Sequence, residues 1–505
     1  MKKIATLALS AGLMTIPALS ATVANKTFMA ARGAVSDNCL LSMGVKPLKS
    51  KAADALDGDL SIAAFYRASY NNTKLAQYFG GGTNLIPTGT IEVAPLGASS
   101  TTALYGTQID TISSDSVSAG KAPMYGTVFL DPYRTETGAH LQWVQGLNKL
   151  AKGLWYIIAL PITVVYTNTQ AIYHSTANTT SSAAKGTGKG LADFFNGSDL
   201  GKTSPASQVA LSRQVLSTSS DSNYAIGIAD LKASLGYTLM ESNKIHLDCC
   251  LHTELPTGNR ASGRFLFEPL YGQRNFSMGA GVNSEYVLWQ NNAIGASLEV
   301  YACAKYTFCF PAAHMRTLGI YSNINGSLPQ SQYILVGKSQ TNEVLPVANA
   351  STVLTRTNPK SRFDAFTGLC CNYKGFTADL AYNFFYSTAE NLTLDTAWDE
   401  GACGVANTGL ADGAISASSP FILTNTALII GNAILRPGNR SNSNYADFTP
   451  ASTPAQLIHK FGCGFGYRFG TRIPMRIGAG GEVDVSGDNH SVNSLGAWIK
   501  VGLCF

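Results

Sequence analysis

The chain of 505 residues is long enough for several soluble domains or for one large barrel. Only 13% of it is charged, about half the share of an ordinary globular protein, while hydrophobic residues make up 45% and mean hydropathy is +0.06. A bundle of membrane helices would be far more apolar, and the net charge of +5 carries no basic run of the kind that binds nucleic acid.

The N-terminus has the layout of a secretory signal peptide: Lys2 and Lys3, an apolar stretch from Ile4 to Leu19 broken by Pro17, then small Ser20, Ala21 and Ala24. Residues 1–24 are therefore expected to be removed. No Cys follows at once, as a lipoprotein would require. Residues 25–58 hold few strand signals and are expected to form a periplasmic extension or a plug. Past residue 24 no run of 18 apolar residues occurs, and the richest stretch, 153–166, contains Pro161. Export without a helical anchor leaves the periplasm, the outer membrane or the medium.

From 59 onward the sequence predicts strands. Residues 60–70 alternate well, and 122–131 and 155–166 are weaker candidates. Between them 140–152 reads as a short helix, with Leu141, Val144, Leu147 and Leu150 on one stripe. The pairs 230–240/245–255, 276–289/294–308, 363–373/376–386 and 457–469/475–483 read as hairpins with tight turns. The last strand puts Leu495, Ala497, Ile499, Val501, Leu503 and Phe505 on one greasy face. Its final aromatic matches the assembly signal of outer-membrane barrels, so Phe505 is assigned that role. The other connections, 256–275, 309–362, 387–456 and 484–494, are mostly long and polar.

Short turns on one side, long loops on the other and aromatics at strand ends predict an all-β fold, a transmembrane antiparallel β-barrel of about twelve strands (range roughly 10–16). If Phe505 ends in the periplasm, every tight turn lies there and the long loops face outward. The expected location is the cell outer membrane. Expected partners are its lipid, the outer-membrane assembly machinery and host-surface or envelope proteins, in a monomer or homotrimer. Nucleic acid and cofactors are not expected.

Lys152-Gly-Leu-Trp155, Leu255-Pro-Thr-Gly-Asn-Arg260 and Phe265-Leu-Phe-Glu-Pro269 resemble words of the major outer-membrane protein-like porins of Chlamydia-like intracellular bacteria, over at most about a fifth of the chain. That resemblance implies a porin in a cysteine-rich, disulfide-linked envelope and assigns no site residue.

The ten Cys form no repeated C-x-x-C, which argues against structural zinc. The adjacent pairs Cys249-Cys250 and Cys370-Cys371 point to opposite strand faces, one of each toward lipid. Cys39, Cys309 and Cys403 are the disulfide candidates, since an exported chain meets an oxidising compartment.

The inward register collects Arg67, Asp230, Lys232, His246, Asp248, His252, Glu254, Glu285, Glu299, Lys305, Asp379, Arg476, Glu482 and Lys500. On the lipid face Arg or Lys would cost about 2–4 kcal/mol at midplane, so these charges are assigned to the lumen. They either line a water-filled pore or pair with one another and close a narrow barrel; their mixed signs argue against strong selectivity. His246, Asp248, His252 and Glu254 lie in a row along one strand rather than around a point, a poor metal site. No Ser, His and Asn trio stands out, and an enzyme is not expected. Glycines 279, 281, 478, 480 and 481 lie inside strands and signal bends or close packing. The expected function is a porin for passive diffusion of small hydrophilic solutes. The alternative is an adhesin or structural envelope protein that uses the barrel as an anchor.

Overall fold

Twelve strands pair edge to edge in one antiparallel sheet that closes on itself. They are β1 Gly58–Ser69, β2 Tyr133–Gly146, β3 Leu154–Asn168, β4 Leu231–Glu241, β5 Ile245–Leu255, β6 Ser277–Asn291, β7 Ala296–Cys309, β8 Lys360–Tyr373, β9 Phe376–Ser387, β10 Gln456–Phe469, β11 Met475–Ser486 and β12 Ser494–Cys504. The structure is a computed structural model that describes residues 23–30, 43, 58–80, 90–94, 104–105, 126–175, 191–198, 207–217, 223–322, 326–327, 330–333, 335–338, 343–395, 403–405, 445–470 and 474–505. Neighbours in sequence are neighbours in the sheet, and β1 pairs with β12 to close it. Ahead of β4, Asn223–Ile228 pairs with the second half of β3, while β4 pairs with its first half.

Alternation sets the two faces. Along β12 the burial pattern alternates strictly: Leu495, Ile499, Val501 and Leu503 point out, and Trp498, Lys500 and Cys504 point in. The outer wall carries aliphatic side chains at mid-height. Aromatic side chains flank them at one end (Tyr237, Trp289, Tyr373, Tyr467) and at the other (Tyr66, Tyr166, Phe308, Tyr386). An apolar belt between two aromatic girdles, on a sheet with no free edge, is how a β-structure satisfies its backbone inside a bilayer. The protein lies in the outer membrane.

One end has short connections: 147–153, 242–244, 292–295, Lys374–Gly375 and 470–474, with Gly58 and Phe505 beside them. The other end carries the long ones, and its described parts fold into a cap. Helix α1, Asn72–Phe79, contributes Leu75, Tyr78 and Phe79 to a core shared with Phe194, Leu266, Ile320 and Tyr333. Three short strands, Ala312–Thr317, Thr352–Asn358 and Asn391–Leu394, form a sheet at this end.

Two expectations for the N-terminal third are corrected. Residues 140–152 do not form a helix: 140–146 lie in β2, with His140, Gln142 and Val144 inward and Trp143 outward. The helical stripe was real in the sequence, but the ladders to β1 and β3 hydrogen-bond this backbone from both sides, and that outweighs a short local periodicity. The 122–131 candidate is not a barrel stave. Gly126–Phe129 instead joins a four-stranded sheet with Thr90–Ala94, Leu104–Tyr105 and Ile172–Ser175, and 122–125 lie outside the described residues. The strand count of twelve stands with β2 in its place.

Of residues 25–58, expected to form a periplasmic extension or a plug, the structure describes 25–30, 43 and 58. Residues 23–30 sit at the long-loop end: Lys26 N–H donates to the Tyr78 carbonyl and Thr27 N–H to that of Pro450, each at 3.0 Å. Met43 is fully buried inside the barrel, and Gly58 begins β1 at the short-turn end. The signal-peptide reading falls on 1–22, outside the described residues, apart from Val23 and Ala24.

Candidate functional site

The interior is stacked in layers, each set by strand register. At the short-turn end Asp59 faces Cys504 across the β1–β12 seam. Arg476 on β11 reaches Asp59 because its partner on β12 is Gly502, whose Cβ would stand 2.2 Å from Arg476 Nε. Arg476 Nη2 donates to Asp59 Oδ1, and Cys504 Sγ to Asp59 Oδ2 at 3.2 Å.

The middle layer is aromatic. Phe65, Tyr301, Phe366 and Trp498 pack with Cys370 around Met43. The large rings fit because small partners face them. A Cβ on Gly480 would lie 2.3 Å from the Trp498 ring, and one on Gly368 would lie 2.2 Å from that of Tyr301. At Gly480 this is the close packing expected of glycines inside these strands. Lys500 Nζ donates to the Met43 carbonyl, tying the main chain there to β12.

Toward the long-loop end two ion-pair groups line the lumen, one on each wall. Glu482 Oε1 takes Arg67 Nε at 2.7 Å and Lys460 Nζ at 3.0 Å, and Lys460 also lies 3.5 Å from Asp484. On the far wall Glu254 takes Arg362 Nη2 at 2.5 Å and the Ser277 hydroxyl at 3.0 Å. Taking charges out of water costs several kcal/mol per ion, so such groups persist only where partners are held in place, as the rigid staves do here.

All fourteen predicted lumen residues lie buried or half-buried. Of these, Arg67, Glu482, Arg476, Glu254 and Lys500 enter the layers above. Asp379 accepts from the Tyr301 hydroxyl at 3.4 Å, and Lys305 faces Asp364 in register. Glu299 accepts from Ser297 and Asn372. The row on β5 is divided among separate partners: His246 with Asp248 at 2.7 Å, His252 with Thr307 at 2.8 Å, and Glu254 with Arg362. Asp230 accepts from the amides of Gly258, Gln273 and Arg274 and so anchors a cap loop rather than lining a pore. Lys232 and Glu285 are half-buried on inward-facing positions of β4 and β6.

Sequence reasoning missed Asp59, Lys460, Arg362, Asp484 and Met43. Arg362 fell outside because the strand was started at Phe363, whereas β8 begins at Lys360. Lys460 sits beside outward-facing Phe461 on β10, and its inward position was there to be read from the alternation. Met43 carries no local signal at all.

The disulfide expectation fails at Cys309, a fully buried free thiol at the end of β7 rather than a loop cysteine. Its side chain points inward with Glu254 and Arg362, away from any exposed partner. The side chains of Cys39 and Cys403 lie outside the described residues. The adjacent pairs split as expected: Cys250 and Cys370 are buried, and Cys371 is exposed.

Above the upper layer lies a small cavity of about 40 Å³. Phe28 of the N-terminal segment forms part of its wall, with His314, Arg316, Glu390 and Thr453 from the cap. The Arg316 guanidinium lies 3.3 Å from the Phe28 ring centre. Burial, then the nearby Arg316, Arg260 and Arg274, push the His314 imidazole down to about 3. Burial also lowers Lys26 to about 8, against the pull of Asp447 and Glu390; its Nζ donates to the Thr449 carbonyl at 2.6 Å.

Closure, outer belt and filled interior define an outer-membrane β-barrel of twelve strands with a folded cap. Among solved structures the chain is similar to an outer membrane channel from Pseudomonas putida F1, with 10% identity, a TM-score of 0.37, and 91% of this chain and 100% of that one covered. It is also similar to the Pseudomonas putida toluene transporter TodX (10% identity, TM-score 0.32, 95% and 98% covered). A third is the transport unit of the autotransporter AIDA-I from Escherichia coli (8% identity, TM-score 0.25, 93% and 96% covered). No protein-family profile and no curated protein sequence matches the chain, so the resemblance to Chlamydia-like porins gains no support from them.

Proposed function

We propose that the protein is an outer-membrane channel for small hydrophilic solutes, held closed by its own N-terminal segment. The observation that carries this reading is Met43: it sits in the lumen on a small aromatic seat and is held by the Lys500–carbonyl hydrogen bond. The staves around it are joined by continuous ladders, so the plug is the weaker part and the one able to leave. Above and below that aromatic seat the lumen walls carry charges of both signs, which suits hydrophilic solutes without strong ion preference. The short-turn end faces the periplasm in this reading, and the cap faces outward.

The test is single-channel recording in planar bilayers of the refolded protein, of Lys500→Met, and of a chain that starts at Gly58. A quiet parent and stepwise openings in both variants are expected. Folded barrels, judged by heat-modifiable gel mobility, that stay silent in both variants would overturn the channel reading.

A second reading rests on the cap. Its described residues share a hydrophobic core of their own, more structure than a bare pore needs. That favours a surface module anchored by the barrel, and silent variants would move this reading to the front.

A further inference from the structure

We infer that the cavity beneath the cap is a binding site for a compact oxyanion, a carboxylate or a phosphate. The argument begins with the strand Ala312–Thr317. Residues two apart on a strand share a face, so His314 and Arg316 both reach the cavity wall. Thr453 joins them from the loop before β10. These three side chains are 5%, 3% and 5% exposed.

Each carries a buried polar atom that finds no partner in the protein: His314 Nε2, Arg316 Nε and Thr453 Oγ1. Buried polar groups nearly always have partners, and each one left without costs about 1–3 kcal/mol. The three residues line one cavity, which brings their unpartnered donors close to one place where an acceptor could sit. Water would satisfy them in part; an oxyanion can accept from all of them.

The sign of the charge follows from the neighbours. Glu390 is the only acid among the described lining residues, and it is already engaged by the Thr453 amide at 3.0 Å and by Arg316 at 3.8 Å. Arg316 is held against Phe28, which keeps the guanidinium from swinging into solvent. Arg260 and Arg274 add to the positive field at His314, which burial and these arginines keep neutral near pH 7. A neutral imidazole donates one N–H, a hydroxyl donates one O–H, and a guanidinium is the preferred partner of planar or tetrahedral oxyanions. Because Phe28 belongs to the N-terminal segment, a bound anion also steadies that segment in place.

The site goes beyond the channel reading and stands apart from it: anion binding by a silent barrel would keep the site and drop the channel. The experiment is titration calorimetry of the full folded protein in detergent at pH 7, with sodium phosphate and sodium acetate as separate probes. Saturable heat from either probe is expected, and which one binds identifies the oxyanion. His314→Phe and Thr453→Val should each weaken it about tenfold or more, the loss of one hydrogen bond to a charged group. Arg468→Gln, at the short-turn end, should leave it unchanged. Should His314→Phe fail to fold, Thr453→Val alone retains the test. No saturable heat from either probe, or binding indifferent to the cavity variants that fold, would overturn the site and leave the cavity to water.

Discussion

Asp59 and Cys504 meet across the seam that closes the barrel, Sγ donating to Oδ2 at 3.2 Å although 445 residues separate them in sequence. The same carboxylate takes the Arg476 guanidinium from β11, so one acid ties three staves together. Asp59→Ala leaves Arg476 buried without its carboxylate. It should cost about 3–5 kcal/mol, read as an earlier midpoint in denaturant unfolding from vesicles. Asp59→Leu combined with Arg476→Met should recover most of that loss, because neither charge then remains.

Gly480 is the space that Trp498 occupies. Gly480→Val would drive two methyl groups into the ring and should destabilise the barrel by about 1–3 kcal/mol or more. Adding Trp498→Leu should relieve it. Gel-mobility midpoints of the single and double variants measure the coupling.

Ile499 and Lys500 are adjacent but face opposite solvents, with Ile499 59% exposed on the outer wall and Lys500 2% exposed inside. Ile499→Arg should cost about 2–4 kcal/mol if it lies at bilayer mid-depth. Ile499→Leu should be near neutral. Folding yield into vesicles distinguishes them.

The cap should loosen in acid. His314 has a folded pKa near 3 and an ordinary value of 6.5 when unfolded, so the unfolded cap binds more protons between those limits. Stability is therefore full above 6.5 and falls as pH drops toward 3, by roughly a few kcal/mol. Protease protection of the loop 310–359, measured at pH 7 and at pH 4.5, should drop in the parent and drop less in His314→Gln.

Lys305 faces Asp364 on the inner wall. In the chain that starts at Gly58, Lys305→Glu should move the reversal potential toward cation preference in a salt gradient. An unmoved potential would place Lys305 off the conducting path.

The sequence alone determined the two-sided character of the wall. Period-two alternation is local, and a register slip of one residue would turn a greasy face inward, so 495–505 and the hairpins from 230 to 483 were legible residue by residue. The tight turns also made the order of those staves readable, since a hairpin leaves no choice of neighbour. Tertiary structure decided the rest. Residues 140–146 hold a pattern compatible with a helical stripe, and only β1 and β3 on either side settle them as strand. Which inward charges meet depends on strand tilt and curvature, which no single strand encodes: Arg67 finds Glu482, two staves away across Gly496, and Arg362 finds Glu254, three staves away. Met43 shows the same limit, because its seat is assembled from β1, β7, β8, β9 and β12 and exists only once the barrel has closed around it.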